Sequence, residues 1–169
     1  TVIFSDDFTN FSTDNYTFYN TIKDDYGIKY GQTASNGKLI AKTPNVASTG
    51  YNGPLVAKST LNTEYTKNIG ETYSFSADAS INSEVSGTAT KRSTFAEISC
   101  FADSYGKVYK FRLISTGNFQ LYRDDELLMS KSLSSVLGTS FEFSKFYNLK
   151  MTVSENIILC FANDKNVFS

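Results

Sequence analysis

The acidic residues are the first candidates for chemistry, because cleaving a glycosidic bond takes two carboxyl groups roughly 5 to 10 Å apart. Asp124, Asp125 and Glu126 are consecutive, and neighbours in an extended chain point to opposite faces, so these three cannot converge as a catalytic pair. We interpret them as a polar turn. Asp78 and Glu97 lie on two predicted strands and face each other only if those strands are neighbours. Solvated strand faces are the alternative.

Histidine is absent from the chain, and this excludes several classes of site. Ser-His-Asp and Cys-His catalysis both need an imidazole, as do His-ligated zinc and iron sites. Cys100 and Cys160 lie in apolar strand-like runs, far apart in the sequence and without other soft ligands, which is unlike a metal site. They are either buried free thiols or a disulfide between neighbouring strands.

Aromatic and planar polar side chains favour a sugar-binding surface, since lectin sites combine an aromatic platform with such groups. The chain is rich in Tyr and Asn, and a central predicted hairpin carries Arg112, Tyr122 and Arg123. We therefore predict ligand-binding roles for these three residues, together with Asp78 and Glu97. For any single tyrosine, an ordinary position in a sheet is the alternative.

Period-two alternation of apolar and polar residues predicts short strands along most of the chain. The predicted strands are residues 1–4, 27–30, 38–42, 55–61, 72–81, 94–101, 107–115, 119–123, 127–133, 146–153 and 157–162. Short polar connections predict two hairpins, one formed by 107–115 with 119–123 and one by 146–153 with 157–162. Residues 131–140 are predicted to include one short helical turn, and residues 82–93 a long exposed loop.

Strands of this number and spacing predict an all-β fold, an antiparallel two-sheet jelly-roll sandwich. With no internal repeat or linker in evidence, we expect a single domain over residues 1–169. The formal net charge of -1 provides no basic field for nucleic acid. Since no segment approaches the ~20 apolar residues of a membrane helix, we expect no membrane insertion.

The last residues, Asn166-Val167-Phe168-Ser169, have the pattern of another strand's opening. A sandwich ending there has an unpaired edge, and sheet edges are usually blunted or covered. Either the native chain continues, or the edge is filled from elsewhere by self-association. The jelly roll is therefore expected to lack its closing strand.

Three stretches carry a resemblance to a known superfamily. They are IFSDDFTNFSTDNYTFYN followed by SNGKLIAKT, then YKFRLISTGNFQLYRDDELL, and finally YNLKMTVSENIILCFAND. Their pattern resembles concanavalin A-like (laminin G-like) jelly-roll domains over nearly the whole chain. The absence of Trp departs from the sugar-stacking pattern of many members, and the usual closing strand is missing.

The resemblance implies a jelly-roll fold that hosts lectins, glucanases and adhesion domains alike. It also implies a structural Ca²⁺ near Asp6 or Asp7, whose hard oxygens suit that ion. A simple Asp-rich turn is the alternative. We rank an extracellular or cell-surface, lectin-like carbohydrate-binding domain without catalytic activity first. A structural or adhesive subunit that assembles by strand donation comes second, and a glycoside hydrolase or polysaccharide lyase third.

Overall fold

The structure is a computed structural model that describes residues 2, 4–10, 12–20, 31–34, 36–42, 57–62, 64, 70–82, 93–101 and 105–169. Antiparallel strands dominate these residues and helix is scarce, so the all-β prediction is confirmed. The chain divides into two compact units, Thr1–Ile69 and Gly70–Ser169. The single jelly-roll domain over residues 1–169 stays a prediction.

The first unit contains two small antiparallel ribbons. Its elements are a 3-10 turn at Thr13–Asn15, β1 at Tyr16–Asn20, β2 at Gly31–Ala34, β3 at Leu39–Lys42 and β4 at Ala57–Leu61. β1 pairs with β4, and β2 pairs with β3. The predicted strands at 38–42 and 55–61 correspond to β3 and β4. Residues 27–30 lie outside the described residues, as do residues 1 and 3 of the first predicted strand, whose residues 2 and 4 are not in a strand.

The second unit contains two four-stranded antiparallel sheets. Its elements are β5 (Thr72–Ala79), β6 (Phe95–Phe101), β7 (Val108–Ile114), β8 (Asn118–Arg123), β9 (Glu126–Ser132), α1 (Leu133–Leu137), β10 (Tyr147–Ser154), β11 (Ile157–Ala162) and β12 (Lys165–Phe168). Sheet I has the strand order β12-β11-β10-β5, and sheet II has the order β6-β7-β8-β9. Both predicted hairpins, β7–β8 and β10–β11, are confirmed.

Alternation explains why the two sheets share one core. On β10, Tyr147, Leu149, Met151 and Val153 are buried while the residues between them are only half-buried. On β7, Phe111 and Leu113 are buried in the same way. The ring of Phe111 packs edge-on against that of Phe168 in the other sheet, with centroids 6.1 Å apart. Because period two gives each sheet one apolar face, the sheets bury those faces against each other as a sandwich-like pair that does not close into a barrel.

Both ends of α1 carry residues that are favoured at helix termini. Ser132 caps α1, where its hydroxyl accepts a hydrogen bond from the N–H of Ser135 at 3.2 Å. Gly138 closes α1 with a left-handed φ of 77°. The predicted helical turn within 131–140 is thus confirmed. Of the predicted loop at 82–93, residues 83–92 lie outside the described residues.

The C-terminal residues form a strand, as the sequence predicts. β12 runs antiparallel to β11 at the edge of sheet I. Val167 and Phe168 are buried in the common core, whereas Lys165 and Asn166 are exposed. The last strand is therefore anchored by its two apolar residues.

Gly117, in the turn between β7 and β8, provides a test of the local packing. Its φ is +81°, and a Cβ added there would lie 3.3 Å from Cβ of Phe141; Gly106 has φ +71° with no atom within 4 Å of such a Cβ. We expect Gly106→Ala to cost about 1 to 2 kcal/mol of unfolding free energy for the left-handed backbone alone. Gly117→Ala should cost more, because Phe141 must also move. Urea titrations of both variants measure this, and equal losses would show that the contact with Phe141 is unimportant.

Candidate functional site

The outer face of sheet II brings several of the predicted ligand-binding residues together. The register places Glu97 of β6 opposite Arg112 of β7, and Arg112 opposite Gln120 of β8. Because Phe111 and Leu113 on either side of Arg112 face the core, Arg112 points to the outer face. Three neighbouring strands thus present one row of planar polar side chains.

Arg112 is held in place on both sides by aromatic rings. Its guanidinium carbon lies 4.2 Å from the ring centroid of Phe95 and 4.4 Å from that of Tyr122. Such contacts between a cation and the face of a ring are attractive and strengthen as water is excluded. The Nε–H of Arg112 also donates to Oε2 of Glu97, and both side chains are only 19% exposed. We call Phe95, Glu97, Arg112, Gln120 and Tyr122 the Arg112 cluster.

Part of the hydrogen-bonding capacity of the Arg112 cluster is unused. The hydroxyl of Tyr122 donates to Oε1 of Gln120 at 2.9 Å. Within the described residues, no hydrogen bond is made by the terminal nitrogens of Arg112, by Oε1 of Glu97 or by Nε2 of Gln120. The cluster therefore offers a fork of donors, an acceptor and an amide donor in one small area.

The local charge around the Arg112 cluster is balanced. Arg112 pairs with Glu97, and beyond them Nζ of Lys110 lies 3.2 Å from Oδ1 of Asp125. Two cations thus oppose two anions within the same stretch of sheet. A ligand with hydroxyl groups suits such a surface better than a strongly charged one.

Asp124 and Asp125, in the turn between β8 and β9, contact residues at or just before the start of β7. Asp124 has a left-handed φ of 51°, and its carboxylate accepts a hydrogen bond from the N–H of Val108 at 3.0 Å. Lys107 lies 2.7 Å from the same carboxylate and, with the bond from Val108, lowers the pKa of Asp124. Since Asp125 pairs with Lys110 and Glu126 begins β9, the three acids diverge.

Asp78 does not join Glu97. β5, which carries Asp78, belongs to sheet I, and β6, which carries Glu97, belongs to sheet II. Asp78 lies on the outer face of sheet I, where its carboxylate accepts a hydrogen bond from Nδ2 of Asn148 at 2.8 Å. The two acids thus lie on the outer faces of different sheets, so the paired arrangement that glycoside hydrolysis needs does not arise from them.

Arg123 lies outside the Arg112 cluster, so its predicted ligand-binding role stays a prediction. Along β8, Phe119 and Leu121 are buried, and Arg123 follows at the same parity. Its register partner on β7 is Tyr109. Tyr122 points to the outer face, so Arg123 points to the other side of the sheet. Phe95, which the sequence analysis did not select, takes part instead, and its shared parity with Glu97 on β6 is the signal that identifies it.

Asp6 and Asp7 act as turn-forming residues. One oxygen of Asp6 accepts from the N–H of Phe8 at 2.7 Å and the other from the hydroxyl of Tyr16 at 2.8 Å. Asp7 accepts from the N–H of Thr9 at 2.9 Å. Among the described residues no three His, Cys, Asp or Glu lie close enough together to hold a metal ion. Ca²⁺ also takes backbone carbonyls and waters as ligands, so the structural ion near Asp6 or Asp7 stays a prediction.

No protein-family model, curated protein or solved structure matches this chain. The resemblance to concanavalin A-like domains therefore stays a prediction. Within the described residues, no helix has both the length and the apolar character that crossing a membrane requires.

The two cysteines are buried free thiols, which decides between the alternatives left open by the sequence. Cys100 is on β6 and Cys160 on β11, in different sheets, so they are not on neighbouring strands. Burial raises the pKa of Cys100 to about 11, although a hydrogen bond with Tyr73 lowers it in part. Burial raises the pKa of Cys160 to about 12, and the electrostatic effect of the nearby Cys100 adds to the increase. Both thiols are therefore un-ionised at neutral pH and unreactive as nucleophiles.

Proposed function

We propose that this chain is a non-catalytic, lectin-like domain that binds neutral sugars through the Arg112 cluster. The observation that carries the proposal is a guanidinium fixed between two aromatic rings, with terminal nitrogens that make no recorded hydrogen bond to the described residues. A side chain held in one geometry loses little entropy when a ligand binds. The proposal includes a jelly-roll connectivity and an extracellular or cell-surface location.

The chemistry of a sugar matches what the Arg112 cluster offers. Vicinal hydroxyls both donate and accept, so the paired nitrogens of Arg112 can donate to two of them while Glu97 accepts from a third. Tyr122 and Phe95 add apolar surface, as ligand sites usually combine such surface with a few fixed polar groups. Two four-stranded antiparallel sheets facing each other also support the jelly-roll part of the proposal.

The balanced charge of the surface favours neutral over acidic glycans. An acidic sugar would gain from Arg112 but would approach Glu97 and Asp125 as well. Like charges brought together at an interface are unfavourable, so a negative ligand loses part of what it gains. We therefore expect uncharged oligosaccharides to bind more tightly than sulfated or uronate-containing ones.

Glycan-array binding with Arg112→Met tests this function. The substitution keeps an unbranched side chain between the rings but removes every donor. Losing charge-assisted hydrogen bonds of ~1.5 to 3 kcal/mol should weaken binding about 10-fold to 100-fold. Lys150→Met is the matched control, since Lys150 lies 5.7 Å from the ring of Phe161 on the outer face of sheet I, and it should bind as the native chain does.

Two results would contradict the proposal. One is the absence of binding to any glycan, measured with and without Ca²⁺. The other is equal weakening by Arg112→Met and Lys150→Met, which would show that the Arg112 cluster is not the site. The Ca²⁺ arm also tests the calcium ion that the sequence predicts, because native binding that disappears on chelation would require such an ion.

A further inference from the structure

A cavity of about 390 Å³ lies between the β7–β8 turn, the start of α1 and the segment that leads from α1 to β10. It is lined by residues 115–117, Ser134, Ser140, Phe141 and Phe143, and we call it the Phe143 pocket. Small-molecule sites in proteins usually have volumes of about 300 to 1,000 Å³. The pocket is at the lower end of this range, so its size suits one small ligand.

Hydrogen bonds and ring contacts hold the walls of the Phe143 pocket in place. The carbonyl of Gly117 accepts a hydrogen bond from the N–H of Leu133 at 2.9 Å, which ties the β7–β8 turn to α1. Phe141 stacks on the buried Tyr147, with ring centroids 6.0 Å apart. The hydroxyl of Tyr147 accepts a hydrogen bond from the N–H of Glu142 at 3.0 Å. Because these walls are already fixed, a ligand would have few side chains to order on binding.

Hydroxyl groups make up the polar part of the Phe143 pocket. Four of its residues are serine or threonine, and none of the described residues that line it is charged. The hydroxyl of Thr116 accepts a hydrogen bond from Nδ2 of Asn118 at 3.2 Å, which leaves its own proton to donate. The hydroxyl of Ser140 makes no hydrogen bond within the described residues. Since a hydroxyl can both donate and accept, the pocket suits a ligand that is itself hydroxylated.

Phe143 adds an apolar wall to the pocket. Its ring packs edge-on against that of Phe141, with centroids 5.1 Å apart, yet Phe143 is 47% exposed. A charged ligand would lose hydration there without meeting an opposite charge among the lining residues. Hydroxyl groups beside one apolar wall match a pyranose, which carries its own hydroxyls around an apolar C–H face.

We propose that the Phe143 pocket binds one neutral hexopyranose. The C–H face of the sugar packs against Phe143, and its hydroxyls exchange hydrogen bonds with Thr116 and Ser140. The pocket shares no residue with the Arg112 cluster, so it is a second site, and only its class of ligand rests on the proposed function. A single sugar makes few contacts in an open pocket, and we expect a dissociation constant of about 1 mM.

An NMR titration of the isotopically labelled native chain with methyl glucoside, methyl galactoside and methyl mannoside tests the pocket. At least one of them should bind and shift the amide signals of Gly117, Ser140 and Phe143. Phe143→Ala should weaken this binding about tenfold, because it removes the apolar surface that the sugar covers. Phe146→Ala is the matched control, since Phe146 is 44% exposed but does not line the pocket, and it should bind as the native chain does.

Thr116→Val tests the hydroxyl contribution, because valine keeps the shape of threonine and removes the hydroxyl. We expect it to weaken binding about 3-fold to 10-fold. Thr152→Val is its control. The hydroxyl of Thr152 also has a side-chain partner, Ser74 at 2.9 Å, but lies on the outer face of sheet I, so this variant should bind normally. Urea midpoints confirm that the variants fold.

Arg112→Met separates the Phe143 pocket from the Arg112 cluster. It should leave the titration with methyl glycosides unchanged while it weakens glycan binding at the cluster. If none of the three methyl glycosides binds, or if Phe143→Ala and Phe146→Ala weaken binding equally, the pocket is not a sugar site and the proposed function is unaffected. Binding that Arg112→Met removes and Phe143→Ala retains would place the sugar at the Arg112 cluster, which overturns this inference and supports the proposed function.

Discussion

Raising the pH from 8 to 10.5 should destabilise the second unit by several kcal/mol. The cause is the pair of buried thiols. The pKa of Cys100 is raised from 9.0 to about 11 and that of Cys160 from 9.0 to about 12 by burial. In the unfolded chain both ionise near pH 9, whereas in the fold they stay protonated. Ionisation of the thiols therefore stabilises the unfolded chain but not the folded one.

The sign follows from proton linkage. Stability falls with rising pH wherever the unfolded chain binds fewer protons than the folded one. The contribution of these thiols is complete below pH 9 and is lost between pH 9 and the folded values of about 11 and 12. One pKa unit corresponds to ~1.4 kcal/mol, so at pH 10.5 each thiol costs up to about 2 kcal/mol. Tyr73, whose pKa burial raises to about 12, adds to the loss above pH 10.

Urea unfolding at pH 8 and at pH 10.5, in the presence of a reductant, measures the effect. The double variant Cys100→Ala, Cys160→Ala is the control, because its cavities cost the same at both pH values while its thiols are gone. Its loss of stability between the two pH values should be much smaller than that of the native chain. An equal loss in both proteins would show that other groups determine the alkaline transition.

Most of the second unit could be predicted from local sequence, and the reason is the two-residue period. A strand with one buried face must alternate, so residues 72–81 and 146–153 are recognisable without knowing their neighbours. The β7–β8 and β10–β11 hairpins were also accessible, since short connections leave adjacent strands little choice of partner. β1 and β2 were missed, because YTFYN and GQTA give four or five residues at most and no clear alternation.

Contacts between distant segments were not accessible in the same way. Nothing local indicates that β5 pairs with β10, more than 60 residues later, rather than with β6. That single pairing separates Asp78 from Glu97 and gives Asp78 a partner in Asn148. The separation of Arg123 from Arg112 and Tyr122 has a simpler reason. Arg123 and Tyr122 are adjacent in a strand and therefore point to opposite faces, and the alternation rule itself could have excluded Arg123.

The Arg112 cluster and the core depend on the same strand, β7. Arg112 faces outward between two residues, Phe111 and Leu113, that are completely buried. The packing of those neighbours fixes the backbone from which Arg112 projects, so the core side of the sheet also positions the Arg112 cluster on the outer side. Substitutions in the core should therefore change the stability of the fold first, with any effect on the cluster following from unfolding.

Phe111→Ala should be among the most destabilising single substitutions in the second unit, costing about 3 to 5 kcal/mol. Phe111 has no exposed surface. Its ring centroid lies 5.7 Å from that of Phe119 in the same sheet and 6.1 Å from that of Phe168 in sheet I. Removing the ring takes away contacts within sheet II and across to sheet I, and the cavity that remains is too deep in the core for water to stabilise.

Phe143→Ala is the matched control for this effect. Phe143 also has an aromatic neighbour, Phe141, with ring centroids 5.1 Å apart, but it is 47% exposed. It should lose about 1 kcal/mol or less, because its ring remains partly in water in the folded state. Phe111→Leu, which refills most of the volume, should recover more than half of the loss seen for Phe111→Ala. Urea titration of the three variants measures the order, and similar losses for Phe111→Ala and Phe143→Ala would mean that the two sheets do not share a core at Phe111.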